Sequence, residues 1–359
     1  MLPISLCGIA AMGCHSQPPA AAAGPSVPVP GVQATIPKAS LAPAPEIPAF
    51  DADAAYSSLK KQCEFGVRPI GSQAHEKCLA YLLAEMRKYA DETITQKFDY
   101  KCADGRLPNT NVIGVFYPAG SNKPSPHPVL LMAHWDTRPI ADGPFSAESK
   151  AGTEFRFASG VWRPKAPIMG ADDAASGVSV LLELAKMFHK SKPRIGVIIL
   201  LDDGEDYGDF KANNDSGDGV ELGARYFAEH YKENPTFGQP SFGILLDMVG
   251  ATNAFFPRET ISDQNAKRVN DKVYNIAKDL GYGARFPEDK TQSVGDDHVS
   301  INEHGIPTID LIHPLPFYPY DRTGYTYWHT TQDTADKCSA QTLKMVGEVV
   351  AKTVYLEEQ

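Results

Sequence analysis

Three runs of consecutive apolar residues mark the middle of the chain: Val129-Leu-Leu-Met-Ala-His134, Ile195-Gly-Val-Ile-Ile-Leu-Leu-Asp202 and Phe242-Gly-Ile-Leu-Leu-Asp247. A fourth, Pro307-Thr-Ile-Asp-Leu-Ile-His313, follows. The three runs do not alternate apolar with polar, so they read as strands buried on both faces of a mostly parallel sheet. Between and after them lie stripes at helical spacing. Val178, Leu181, Leu182, Ala185 and Phe188 form one; Leu343, Val346, Val350 and Val354 form another, after Ser339 as a candidate cap. Stretches 93–100 and 111–117 read as additional, antiparallel strands. Alternating strands and helices predict an α/β three-layer sandwich, with a central mixed, mostly parallel sheet flanked by helices.

The strand ends share a feature. The first three apolar runs each end in, or run straight into, a residue that can bind metal: His134, the cluster Asp202–Asp206, and Asp247. Ligands of open α/β sheets bind outside the carboxyl ends of the strands, so these residues are expected to converge on one site.

The first 50 residues have a different character. No Lys, Arg, Asp or Glu precedes Lys38, and residues 15–50 carry nine of the chain's 29 prolines, among many alanines. Such a tract cannot bury enough surface to fold and reads as a tether. Residues 1–14 are mostly apolar and end in Ala11-Met12-Gly13-Cys14, which is lipoprotein-like, although a basic start is lacking. The expected organisation is therefore a leader at 1–14, a tether at 15–50 and a catalytic domain at 51–359. The expected location is the bacterial periplasm or cell envelope, with Cys14 as a candidate lipid anchor. Cys63, Cys78, Cys102 and Cys338 form no Cys-x-x-Cys pair, which disfavours a thiolate zinc site and leaves their pairing open.

Charge narrows the partners. Across 359 residues, 44 acids face 34 bases for a net charge of -10, which disfavours a nucleic-acid backbone or an anionic membrane surface. A monomer is expected. No interior apolar run is long enough to span a bilayer.

Several acids fall in compact motifs. His134 and Asp136 sit in Ala-His-Trp-Asp, and Asp172 and Asp173 in Gly-Ala-Asp-Asp-Ala-Ala-Ser-Gly. Glu205 and Asp206 sit in Asp-Asp-Gly-Glu-Asp-Tyr-Gly, Asp296 and Asp297 precede His298, and His329 lies in Tyr-Trp-His-Thr. Each has an ordinary alternative: Asp173 as a helix cap, Asp247 as a turn residue, His329 as a hydrogen-bonded loop histidine. Gathering so many carboxylates costs Coulomb repulsion unless a cation offsets it. Carboxylate and imidazole donors without thiolate fit a catalytic zinc. Asp136, Asp172, Asp173, Glu205, Asp206, Asp247, Asp296 and Asp297 are expected to crowd one strand-end cleft that attracts a cationic amine.

In this order the motifs resemble the zinc aminopeptidase superfamily and, within it, the glutaminyl cyclases of bacterial type. Phe65-Gly-Val-Arg-Pro-Ile-Gly-Ser, Leu-Leu-Asp-Met-Val-Gly around Asp247, and Gly305-Ile-Pro extend the resemblance from about residue 65 to the C-terminus. It implies zinc ligands at Asp173, Asp206 and His329, one zinc per chain, and Glu205 as general acid/base. It also implies supporting carboxylates at Asp247 and Asp296, with Trp328 and Phe317 lining the substrate pocket. The reaction implied is cyclisation of an N-terminal glutamine of a peptide or protein to pyroglutamate with release of ammonia.

Two other readings stand beside it. A two-zinc aminopeptidase would use His134 and Asp247 for a second metal, with Asp136 behind them and Asp173 bridging. Asp206 beside Glu205, where such peptidases carry a Glu-Glu pair, and an acid at Asp296 favour the cyclase. An inactive, partner-binding ectodomain would have lost a ligand or the acid/base residue, and none is lost.

Overall fold

The computed structural model describes residues 45–102, 105–143, 154–156, 162–164, 166–208, 219–289, 291–315 and 327–358. The proposed leader and most of the tether, and with them Cys14, lie outside these residues. Ala44–Gln359 forms one compact unit. Its elements, in chain order, are α1 (Ala52–Glu64), α2 (Gln73–Tyr89), β1 (Glu92–Cys102), β2 (Gly105–Phe116), β3 (Val129–His134), β4 (Glu154–Arg156), β5 (Trp162–Pro164), α3 (Ala175–Lys190), β6 (Val197–Asp202), α4 (Leu222–His230), β7 (Phe242–Asp247), β8 (Arg258–Glu259), α5 (Thr260–Asp279), β9 (Thr291–Gln292), α6 (His298–Glu303), β10 (Thr308–Ile312) and α7 (Ala340–Tyr355). No helix among the described residues is long and apolar enough to cross a membrane.

The central sheet has six strands in the order β1-β2-β6-β3-β7-β10. β6, β3, β7 and β10 run parallel, and the β1–β2 hairpin adds to β6 antiparallel. The mixed, mostly parallel sheet expected from the sequence is the one observed. The four apolar runs occupy its middle and one edge, and every residue of β3, β6, β7 and β10 is buried.

Alternate residues feed two cores, as the two-residue repeat of a strand requires. Leu131, Ile199, Leu246 and their neighbours pack under α1, α2, α3, α5 and α7. Leu130, Met132, Ile198, Leu200 and Leu245 pack under α4 and α6. This is the three-layer sandwich. Several helices start where the sequence offers a cap: Ser72 accepts from the His75 N–H at 3.1 Å, and Ser339 from the Thr342 N–H at 3.2 Å. Glu259 caps α5 by accepting from the N–H groups of Ile261 and Ser262.

The connectivity places the site. From β3 the chain passes through α3 to β6 on one side, then through α4 back past β3 to β7 on the other. α3 and α4 lie on opposite faces, so a crevice opens at the carboxyl ends of β6, β3 and β7. α3 lies close on the sheet at Gly177. A Cβ there would fall 2.0 Å from the Leu246 carbonyl oxygen, so glycine is what lets the helix settle.

Candidate active site

The strand ends meet as the sequence predicts. His134 ends β3, Asp247 ends β7, and the turn after β6 carries Glu205 and Asp206. The turn before α3 brings Asp173, and the loop before α7 brings Trp328 and His329.

Asp173 is not a helix cap. α3 starts from Ala174 with no side-chain cap bond, which leaves the Asp173 carboxylate to the site. Its Oδ2 lies 3.6 Å from His329 Nε2 and its Oδ1 3.2 Å from His134 Nε2. Asp206 Oδ1 lies 3.4 Å from His329 Nε2. Donor atoms of Asp173, Asp206 and His329 all lie within 4.8 Å of one another. A tetrahedral zinc with bonds of about 2.0–2.1 Å needs neighbouring donors about 3.3 Å apart, so these separations suit it. Asp206 Oδ2 is buried without a hydrogen-bond partner, an acceptor to which a cation is suited. The residues therefore fit zinc.

Fixed neighbours hold each candidate ligand. Asp142 Oδ1 lies 3.3 Å from His329 Nδ1, which directs Nε2 toward the two carboxylates. Arg138, buried, grips both Asp142 oxygens at 2.7 and 2.8 Å and reaches Asp206 Oδ1 at 3.1 Å. Asp333 accepts from the Asp172 and Asp173 N–H groups at 2.9 and 3.2 Å, clamping the turn before α3. His329 has φ 53 and Met248, next to Asp247, φ 48. This left-handed region costs a non-glycine residue about 1–2 kcal/mol, so surrounding structure must enforce it at both site positions. The Trp328 ring stacks on the His329 imidazole at 3.9 Å between centroids.

Beside this cluster lies a cavity of about 240 Å³. Asp173, Glu205, Asp247 and Asp296 form its acidic side; Val294, Ile312, Leu315 and Trp328 form its apolar side. Burial pushes the Glu205 carboxyl well above the usual carboxylate range, and the charges of Asp206, Asp296 and Asp247 add to the rise against the opposing pull of His134. Asp296 is likewise raised by burial and then by the charge of Asp247. Asp206 behaves oppositely: burial pushes it up, but His329 and Arg138 overcome that and hold it low. His329 is resisted by burial yet pushed up to about 9, chiefly by Asp206.

His134 Nε2 lies 3.3 Å from Asp247 Oδ1 as well as near Asp173, so His134, Asp173 and Asp247 form a second set of converging donors. Asp136 instead supports the turn after β6. Its two oxygens accept from the Glu205 and Asp206 N–H groups at 3.2 and 3.4 Å.

The expectation that eight acids crowd one cleft needs correction. Asp136, Asp172, Asp206 and Asp297 do not line the cavity, although Asp206 belongs to the donor cluster beside it. Asp172 turns away to accept from the Gly250 N–H at 2.7 Å and the Tyr327 hydroxyl at 3.2 Å. Asp297 is fully buried, and its carboxyl is pushed up by burial and by the neighbouring Asp202. Phe317 and the Cys102 side chain lie outside the described residues, while Cys63, Cys78 and Cys338 are free thiols. Arg138, Asp142 and Asp333 were not found from the sequence. The nearest signal was position: Arg138 follows Asp136 by two residues, and Asp333 follows His329 by four.

With this geometry, the model of peptidase family M28 matches residues 111–354. The chain belongs to that family. Among solved structures, the glutaminyl cyclase of Bacteroides thetaiotaomicron bound to N-acetylhistamine is 36% identical, with a TM-score of 0.72, covering 87% of this chain and 100% of that one. A leucine aminopeptidase precursor from the same organism is also 36% identical at a TM-score of 0.72, covering 88% of this chain and 100% of that one. Aminopeptidase YwaD of Bacillus subtilis is 25% identical over 248 residues, 68% of this chain. The chain spans about half the length of the curated relatives it matches, 44% of that aminopeptidase and 59% of an uncharacterised protein, YfbL, of Escherichia coli.

Proposed function

We propose that this M28 chain is a glutaminyl-peptide cyclotransferase with one catalytic zinc, acting on peptides or proteins that begin with glutamine. One observation carries the choice over a peptidase. Asp296 shares the cavity wall with Asp247 and Glu205, and burial together with the Asp247 charge raises its carboxyl well above the usual carboxylate range. In its protonated form Asp296 would be a donor able to compete with a second metal for the neighbouring Asp247 carboxylate. Similarity to a solved glutaminyl cyclase fits this reading, and the equal similarity to an aminopeptidase precursor leaves the choice to the site.

Asp173, Asp206 and His329 would hold the zinc, which when bound supplies Lewis-acid polarisation of the substrate γ-carboxamide. The protein's residues do the rest. The acidic wall draws in the cationic N-terminus, whose α-amine has a pKa of about 7.7–8.0. Once the ammonium has given up its extra proton to solvent, Glu205, raised above the usual carboxylate range, accepts a proton from the neutral α-amine as its nitrogen bonds to the side-chain carbonyl carbon. It then returns the proton to the amide nitrogen as the carbon–nitrogen bond breaks and ammonia leaves. The nucleophile belongs to the substrate, so the cavity's task is to hold amine and carbonyl together and exclude water. Trp328, Val294 and Leu315 supply that apolar wall.

The converging donors of His134, Asp173 and Asp247 favour a second reading, a two-zinc aminopeptidase. Metal analysis separates the two. About one zinc per chain, unchanged in His134→Ala, is the cyclase result. Two zincs in the wild type, falling to one in His134→Ala, would establish the peptidase.

A further inference from the structure

The Phe65-Gly-Val-Arg-Pro segment contributes nothing to the site as described, yet its arginine is among the largest fully buried side chains of the protein. The Arg68 guanidinium forms no ion pair among the described residues. It is surrounded by main-chain carbonyls instead. Nη2 donates to Gly170 O at 2.9 Å and Nη1 to Met169 O at 3.0 Å. Nη1 also reaches Gly66 O and Gln62 O, at 3.3 and 3.4 Å, and Nε reaches Trp135 O at 3.4 Å. The main chain continues the link: Arg68 N donates to Thr137 Oγ1 at 2.8 Å, and Thr137 N to Arg68 O at 3.3 Å.

Three of these acceptors, Trp135, Met169 and Gly170, belong to the two loops that carry the metal-site residues, while Gln62 and Gly66 lie at the end of α1. Trp135 lies between His134 and Asp136, and Gly170 lies three residues before Asp173. Nothing is loose at that junction. Gly170 has φ +60, and a Cβ there would fall 2.3 Å from Thr137 Cγ2 and 2.4 Å from Asp173 O. Gly170 O also accepts from Ala175 N, at the first turn of α3, at 3.3 Å. A buried cation without a counter-ion is costly, and here its fixed fork is satisfied only while both loops keep their places.

We propose that Arg68 is a positioning residue of the metal centre: its guanidinium spans the loop after β3 and the loop before α3 and sets the spacing at which Asp173 meets His329 and His134. This rests on the zinc reading above. A lysine in its place is a point charge with three donors and cannot bridge acceptors this widely spread.

The test is Arg68→Lys, with zinc affinity read by competition against a chromophoric chelator and kcat and KM read separately on a glutaminyl peptide. The expected result is a folded protein whose zinc affinity falls at least tenfold and whose kcat falls more than its KM rises. A merely structural role would lower the melting temperature and leave zinc affinity and kcat of the folded protein within twofold of wild type, and that result overturns the proposal. If Arg68→Lys does not fold, Thr137→Val removes only the hydroxyl that accepts the Arg68 N–H. It must then weaken zinc at least threefold, and unchanged affinity overturns the proposal. A wild type that binds no zinc would defeat the zinc reading itself; a zinc-binding, cyclising wild type with an unaffected variant would defeat only the role of Arg68.

Discussion

Removing Asp142 should weaken the metal site without touching a ligand. Asp142 takes two bonds from Arg138, at 2.7 and 2.8 Å, and lies 3.3 Å from Nδ1 of the candidate ligand His329. A carboxylate on that nitrogen fixes the imidazole tautomer and aims Nε2 at Asp173 and Asp206, 3.6 and 3.4 Å away. Partners of this kind are worth about 10–100-fold in metal affinity, or about 1.4–2.7 kcal/mol. Asp142→Ala is expected within that range. Asp142→Asn keeps the shape and one acceptor oxygen, so it should lie near the lower bound, giving the order wild type, Asn, Ala. Fold stability should fall too, because Arg138 loses its bidentate partner. The loss should stay below the about 3–5 kcal/mol typical of a broken buried pair, since Arg138 keeps Asp206 Oδ1 and the carbonyls of Asp206 and Gly208, each at 3.1 Å. The assay is chelator competition at fixed pH, with thermal melting of the metal-free proteins. An Asp142→Ala protein that binds zinc within twofold of wild type would refute the reasoning.

Glu205→Gln should lower kcat by about 10²–10⁴ while zinc content stays at the wild-type level, because the amide keeps the shape but cannot carry the proton. Retained turnover would remove Glu205 from the acid/base role. Zinc affinity should also depend on pH. Metal-free His329 is pushed up to about 9, chiefly by Asp206, and only the neutral imidazole binds metal. Apparent affinity should therefore be flat above about 9 and fall about tenfold per pH unit below it. The fall should steepen below about 6, where Asp173, raised by burial and by the Asp206 charge, is protonated as well. Affinity that does not change between pH 6 and 9 would contradict the pairing of His329 with Asp206.

The sheet was legible because strands buried on both faces must be largely apolar: β3, β6 and β7 are apolar up to their last residue, and β10 is interrupted only by Thr308 and the buried Asp310. The site was legible where a motif sits directly on a strand end or helix start, as with His134, Asp173, Glu205, Asp206 and Asp247. Adjacent acids were harder to assign. Asp172 and Asp173 stand side by side in one motif, but one turns to the Gly250 N–H and the other to the histidines. Only the path of the turn decides which faces the cavity. The same holds for Asp296 and Asp297. Arg68, Arg138, Asp142 and Asp333 were invisible for another reason. Apart from the Arg138–Asp142 contact four residues apart, their roles arise from pairings between segments far apart in sequence, such as Asp333 with the turn 160 residues earlier, and neither spacing nor periodicity encodes such contacts.

The most direct measurement is the fate of a peptide with N-terminal glutamine, followed by product mass and ammonia release, beside a leucine arylamide under the same conditions. The cyclase predicts a product lighter by one ammonia, ammonia in equal amount, and an intact arylamide. Free N-terminal amino acid and released arylamine, without a pyroglutamyl product, would contradict it.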